Sequence, residues 1–386
     1  MAAKPRFDGE WMKLGELTSL VSRKNKTGQC GAVYSVTNSQ GFIPSTEYFS
    51  KEVFSKELKT YKLVGRNQIA YNPSRINVGS VALQDREDEV VVSPLYVVFS
   101  VDQERLDPAY LLRFLKSGPG LSQIAFQSIG TVRNNLKYDG LSNILLHVPP
   151  LEEQRLRIRA LVSLEGRIET CRSFLSRLDA LVKSRFVEMF DGKGYPTSSV
   201  STLVSSMRNG LSPSKSGSYR SKVLTLSAIT QGRFDPLAWK EGFFSEEPPA
   251  NKRVSDEDFY ICRGNGNIHL VGTGEYSSVS MEDAVFPDTM IALKLKRERI
   301  ILPFLRCAWN QISTRKQIEA SAKTTNGTFK INQAALGNIE LPVPPLELQL
   351  EFADFVAEVD KSRFVVQQQI EKLQMLYDSL AQEYFS

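Results

Sequence analysis

The stretch LHVPPLEEQ, Leu146–Gln154, returns as LPVPPLELQ, Leu341–Gln349, after 195 residues. The same offset continues forward without a gap. Leu161 falls on Val356, Leu164 on Val359, Leu175 on Ile370, Leu178 on Leu373, Leu181 on Leu376 and Phe190 on Phe385. Backward, GLSNILLHVPP (from Gly140) falls on ALGNIELPVPP (from Ala335). A two-residue adjustment then sets GTVRNN (from Gly130) on GTFKIN (from Gly327). Earlier still, SVTNSQGFIP, ending at Pro44, parallels LSAITQGRFDP, ending at Pro236. One long unit is therefore used twice, which is not a short-period solenoid.

After each Pro-Pro pair the pattern is helical. Proline ends what precedes it and tolerates a helix starting just beyond it. From Leu151 to Phe190 there is no proline and a single glycine, Gly166. Apolar residues fall at Leu161, Leu164, Ile168, Cys171, Leu175, Leu178 and Val182, the alternating three-and-four spacing of a coiled-coil seam. The second copy reads Val356, Val359, Arg363, Val366, Ile370, Leu373 and Tyr377, with Arg363 the charged exception. Forty helical residues run roughly 60 Å. A narrow seam on so long a helix needs a partner, and matching seams predict that the two helices pair with each other. A pseudo-twofold relation makes the pair antiparallel, with a globular unit at each end.

The expected organisation is 1–148, a first globular domain; 149–192, a long helix; 193–343, a second globular domain; and 344–386, a second long helix. The class is α/β (α+β). NQIAYN (from Asn67), EVVVSPLYVVFSV (from Glu89), VLTLSAI (from Val223) and DTMIALKLK (from Asp288) predict strands. PAYLLRFLKSG (from Pro108) and ILPFLRCAWNQI (from Ile301) predict helices.

Composition narrows the function without naming it. A 386-residue chain with 41% hydrophobic residues supports more than one core. A net charge of +5 permits a nucleic-acid partner but leaves local clustering to argue for it. Cys30, Cys171, Cys262 and Cys307 show no paired spacing, which predicts reduced thiols and a cytoplasmic protein. No run of about eighteen apolar residues occurs, so no membrane partner is expected. The only histidines, His147 and His269, lack partners at metal-ligand spacing, so no metal is expected. His147, beside the Pro-Pro pair, is a structural residue on this reading.

Signals of chemistry fail on inspection. YNPSR (from Tyr71) lacks the second proline and the aromatic of an adenine methyltransferase motif. DGKGYP (from Asp191) lacks phosphate-loop spacing and reads as a linker. RGNGN (from Arg263) has no dinucleotide-binding context. No catalytic residue is assigned. What recurs in both units is basic, amide-rich loops. Arginine and lysine neutralise phosphates and read guanine, and asparagine matches adenine edges. The candidate DNA-contacting residues in the first unit are Arg23, Lys24, Lys26, Asn72, Arg75, Asn77, Thr131, Arg133 and Asn134. In the second they are Arg208, Asn209, Ser214, Lys215, Arg220, Arg263, Asn265, Asn267, Lys323, Thr328 and Lys330.

With these features the chain resembles the specificity subunits of type I restriction-modification systems. The features are two VPPLE-x-Q phrases, each followed by a heptad helix, and the upstream Gly130-Thr131 and Gly327-Thr328 turns. IAYNPSRINVGS (from Ile69) adds to the likeness. One departure is Leu348, where the family carries a second acid. The resemblance implies two target recognition domains, each reading half of a bipartite, asymmetric DNA site, with antiparallel helices as the spacer. It implies no chemistry and no cofactor on this chain. Two modification subunits would bring S-adenosylmethionine, and restriction subunits would bring ATP and Mg. The seam from Leu161 to Val182 runs about 33 Å, against roughly 34 Å between half-sites one turn apart. Two rival readings remain, a fused methyltransferase or endonuclease with its own activity and an interaction scaffold without nucleic acid.

Overall fold

The computed structural model describes residues 9–38, 40–48, 58–128, 135–214, 217–325 and 327–386. Packing gathers the chain into two compact units. One comprises Met1–Ser173 with Val366–Ser386, the other Phe174–Val365. The long helices are Leu151–Phe190 and Leu346–Phe385, each starting on the residue after its Pro-Pro pair. Each helix therefore contributes one half to each unit. No described helix is long and apolar enough to cross a membrane.

The same antiparallel sheet recurs in both units. In the first its order is Thr18–Val21, Val97–Val101, Ile69–Tyr71, Val81–Leu83. In the second it is Val204–Asn209, Met290–Leu295, Asp258–Cys262, Gly274–Tyr276. Helix Pro108–Lys116 in the first unit corresponds to Leu302–Trp309 in the second. Asp107 caps the former, accepting from Ala109 N at 2.8 Å. A two-stranded ribbon also repeats: Glu10–Lys13 pairs with Leu145–Val148, and Thr197–Ser199 with Glu340–Pro342.

EVVVSPLYVVFSV is two strands, Glu89–Val92 and Val97–Val101, because Pro94 cannot donate to a ladder. VLTLSAI divides differently. Tyr219–Leu224 is a strand, but Ser227–Thr230 is a helical turn that buries Ala228 and Ile229. KTTNGTFKIN, read from sequence as a loop, is a hairpin: Lys323–Thr325 pairs with Thr328–Lys330. Its turn includes Gly327 at φ +74°, a conformation that favours glycine.

Within each unit the two helices run antiparallel. In the first, Arg157 Nη1 donates to Tyr384 O at 2.8 Å and Tyr377 Oη donates to Glu165 Oε1 at 3.0 Å. In the second, Asp179 meets Arg363 at 2.8 Å and Arg185 meets Glu351 at 2.9 Å. Seam residues Leu161, Leu164, Ile168, Leu178, Val182, Val356 and Val359 are buried. Leu175, Val366, Ile370, Leu373 and Tyr377 are half-buried. The helix ends belong to the globular cores: Leu161 packs with Ala381, Phe385 and Phe114, and Val182 with Phe186, Phe352 and Phe304. Arg363 occupies its seam position because Asp179 and Asp360, at 2.8 and 3.3 Å, neutralise it.

The repeated phrase has a hydrogen-bonding reason. Gln154, fully buried, donates from Nε2 to Pro149 O and Arg105 O, both at 2.8 Å, and accepts at Oε1 from Asp107 N at 2.8 Å. Gln349, also fully buried, donates to Pro344 O and Arg299 O, both at 2.9 Å, and accepts from Ile301 N at 3.2 Å. One amide thus fastens the start of each long helix to the loop before the next helix of its unit. A second amide pair repeats as well. Gln123 exchanges two bonds with the Leu145 backbone, and Gln317 does the same with Glu340.

The departure at Leu348 also has an explanation. In the first unit Glu153 neutralises Arg157 at 2.8 Å, and the Arg157 side chain is only 3% exposed. At the offset of the repeat, Arg157 becomes Phe352, packed against Phe186 and Phe190 with centroids 5.6 Å away in each case. With no cation there, the acid is unnecessary, and Leu348 packs on the core.

Two outcomes are expected. Gln349→Leu orphans buried backbone groups and lowers stability by about 2–5 kcal/mol, read as a shift in the urea midpoint. Glu153→Leu strands the buried Arg157 and costs about 3–5 kcal/mol. Adding Arg157→Phe, the pairing the second unit uses, recovers most of that loss in the same titration.

Candidate nucleic-acid interface

In the first unit the loop after Thr18–Val21 is shaped by Asn25, which is 2% exposed. Its Nδ2 donates to Cys30 O at 2.7 Å and its Oδ1 accepts from Cys30 N at 3.3 Å. Holding Asn25 inward leaves Lys24 and Lys26 exposed. Arg23 is ion-paired with Glu89. The sequence gives no sign of Lys62, whose Nζ donates to Tyr96 O at 2.6 Å. Its pKa is lowered, first by burial and then by the like charge of nearby Lys24.

The loop between Ile69–Tyr71 and Val81–Leu83 is an Asx turn: Asn72 Oδ1 accepts from Ser74 N at 3.0 Å. Ser80 fastens its far end to Val36 O at 2.9 Å. Arg75 and Asn77 are exposed. Thr131, Arg133 and Asn134 lie outside the described residues.

The second unit separates committed cations from available ones. Arg208 is ion-paired with Asp258, whose side chain is only 3% exposed. Burial raises the Asp258 pKa, with Arg208 opposing that shift. Arg208 is thus held in the fold. Arg220 pairs with Glu241 on the surface. Asn209 Oδ1 accepts from Gln333 Nε2 at 3.1 Å, and Ser214 N donates to Phe243 O at 2.7 Å. Lys215 lies outside the described residues.

Arg263, Asn265, Lys323, Thr328 and Lys330 converge. The short strand Gly264–Asn265 joins the hairpin in a three-stranded sheet, Gly264 opposite Lys330 and Lys323 opposite Lys330. A Cβ at Gly264 would stand 3.2 Å from Lys330 Cγ, so glycine gives that side chain its room. Arg263 Nη1 donates to Asp288 O at 3.3 Å. Asn265 and Asn267 spend their side-chain oxygens on turns, accepting from Asn267 N and His269 N at 2.9 and 3.0 Å. A cavity of about 420 Å³ opens beside this sheet, lined by Arg263, Lys323 and Lys330 with Ser321, Asn332 and Asn338. Asn332 ends the basic stretch KTTNGTFKIN without being among the candidates read from sequence, and Ser321 and Asn338 lie outside that stretch.

The histidines lie apart from these groupings. His269 Nδ1 is 3.2 Å from Glu319 Oε1, and His147 packs against Trp11 with the rings tilted at 57° and their centroids 5.6 Å apart. The four cysteines are free, and burial pushes the thiols of Cys262 and Cys307 up to about 11.

No protein-family model matches the chain. Over 314 residues it is 23% identical to the type I restriction enzyme EcoKI specificity subunit of Escherichia coli (strain K12), taking in 76% of this chain and 65% of that protein. Over 297 residues it is 22% identical to the StySPI specificity subunit of Salmonella potsdam, taking in 72% of this chain and 64% of that protein. The chain thus spans a little under two thirds of the length of either relative.

Among solved structures, one chain comes from work on complex assembly and conformational transition of the type I R-M system. It superposes with a TM-score of 0.55 at 16% identity, covering 100% of this chain and 99% of its own length. The type I restriction-modification S subunit from M. genitalium gives a TM-score of 0.53 at 15% identity, with 100% and 98% covered. The resemblance carried by the two Pro-Pro-Leu phrases is borne out by the curated relatives, and the fold by the structures.

The division between committed and available cations is testable. Asp258→Ala strands Arg208 and is expected to lower stability by about 3–5 kcal/mol in a denaturant titration. Arg220→Ala, on the surface, is expected to leave the midpoint where it was.

Proposed function

We propose that this chain is a sequence-specific DNA-recognition subunit of the type I restriction-modification kind and catalyses no reaction itself. The observation that carries the reading is the duplication. The same antiparallel sheet, ribbon and glutamine-anchored helix occur twice, while the basic loops on them differ. Two related but non-identical readers suit a bipartite, asymmetric site with unread base pairs between its halves. The likeness to the EcoKI and StySPI specificity subunits supports the same reading.

On this proposal the candidates for contact are the available groups: Lys24, Lys26, Arg75 and Asn77 in the first unit, and Arg263, Lys323 and Lys330 in the second. The long helices set the gap between half-sites and dock two modification subunits; restriction subunits complete the assembly in the cytoplasm. S-adenosylmethionine, ATP and Mg belong to those partners.

Two experiments test this. The purified chain, incubated with DNA and a labelled methyl donor, is expected to incorporate no label; incorporation without a partner overturns the non-catalytic assignment. Mapping methylated adenines in the host genome is expected to yield two short motifs separated by a fixed gap. Inserting one heptad into each long helix should change that gap and leave both motifs intact; altered motifs would count against the helices as spacer.

A further inference from the structure

We propose that the cavity bounded by Arg263, Lys323 and Lys330 is a seat for one phosphodiester of the DNA backbone, and that it contributes affinity without base preference. The inference rests on the DNA-binding reading above and deepens it: it divides affinity from readout within the second unit.

The hairpin holds a register that the isolated fold does not favour. Lys323 and Lys330 are direct cross-strand partners in the hairpin. Like charges placed opposite each other on an antiparallel pair repel. Among the described residues neither lysine has an ion pair, and Arg263, on the same cavity wall, has no carboxylate partner and donates to the Asp288 carbonyl. Among the described residues no acid lines the cavity. Elsewhere in this unit exposed cations are neutralised locally: Arg220 by Glu241, Lys222 by Asp283, Lys294 by Glu257. The three around the cavity have no carboxylate partner among the described residues, and the fold gathers them around one space.

An anion placed among these cations turns the repulsion into attraction. The other polar side chains are suited to the same guest. Asn332 spends its Oδ1 on Ala335 N at 2.8 Å, which leaves its amide hydrogens as donors, and Ser321 and Asn338 add further donors. Donors and cations around one cavity match a phosphate oxygen cluster. Lysine acts on phosphate as a point charge, and a concave site ringed by cations and amide donors suits the tetrahedral oxygens of the backbone better than the flat edge of a stacked base.

The test uses the full chain assembled with its modification subunits, and duplexes with and without the methylated target motif. Affinity is measured across a range of salt concentrations. Lys323→Gln and Lys330→Gln are each expected to weaken binding to both duplexes by the same factor, several-fold or more. Each should make the log-log salt slope shallower by about 1. The target-to-nontarget ratio should stay unchanged, and Lys330→Arg should restore affinity. The uncomplexed Lys330→Gln chain should melt at or above the wild-type temperature, because a repulsion has been removed; a merely structural role predicts the opposite.

Wild-type protein that binds both duplexes equally would overturn the parent reading. Wild-type selectivity with unchanged salt slopes in both variants would overturn the seat alone, as would a changed target ratio. Protection of the chain by inorganic phosphate without any effect of the variants on DNA affinity would also overturn it, since the seat would then serve free phosphate.

Discussion

A single buried carboxamide, used twice, holds the architecture together. Each long helix starts directly after two prolines, where the chain has no N–H to offer and the preceding carbonyl has no helical partner. Gln154 and Gln349 supply the missing bonds from within the helix, at the fourth residue, and extend to the loop that leads into the neighbouring helix. Both are fully buried, so water cannot substitute. Glutamine suits the task because it donates and accepts from one planar group. Glutamate would lose the donors, and leucine would lose everything. The helix direction in each unit, and hence the antiparallel pairing, starts from that anchor.

Around the anchors the two copies have diverged in a compensated way. Glu153 with Arg157 in one copy answers to Leu348 with Phe352 in the other. In the first, the cation sits among Glu153, Tyr110 and Tyr384; in the second, a phenylalanine fills the place within a ring cluster. An ion pair buried with its hydrogen bonds and an apolar pair of similar volume are near-equivalent solutions, whereas half of each is not. Arg363 follows the same logic. It stands at a seam position held by Ile168 in the first helix, and it is tolerated because Asp179 faces it from the partner helix.

Much of this was legible in the sequence, and the boundary has a physical cause. The two long helices were legible, since Pro-Pro and a heptad spacing are local signals that tertiary packing reinforces; the observed helices, Leu151–Phe190 and Leu346–Phe385, lie within the segments 149–192 and 344–386 read from sequence. The pairing of the helices followed from their matching seams. The hairpin Lys323–Lys330 reads from sequence as a loop, because short polar strands carry little hydrophobic alternation. The individual site residues were least legible. Arg208 and Lys330 are both basic residues in amide-rich surroundings, yet one faces a buried aspartate across the sheet and the other faces a like charge. That difference depends on cross-strand partners 50 or fewer residues away in no fixed pattern, and periodicity does not encode it.

The contrast between those two residues is also where fold and function part. Arg208 with Asp258, and Arg306 with Glu275 at 2.8 Å, are charges whose electrostatic demand is met inside the unit. They stabilise the platform, and their low exposure removes them from contact with a partner. Lys323, Lys330 and Arg263 carry charge that the fold leaves unmet. A protein that binds a polyanion has reason to keep such charge unmet, because a cation already paired to carboxylate must break that pair before it can take a phosphate. On the proposed reading, a bound phosphate offsets the cost of holding like charges in register within the hairpin. An unmet charge is necessary for such a contact and not sufficient; what distinguishes Lys323, Lys330 and Arg263 is that the fold gathers them around one cavity, a property of the folded neighbourhood and not of residue type.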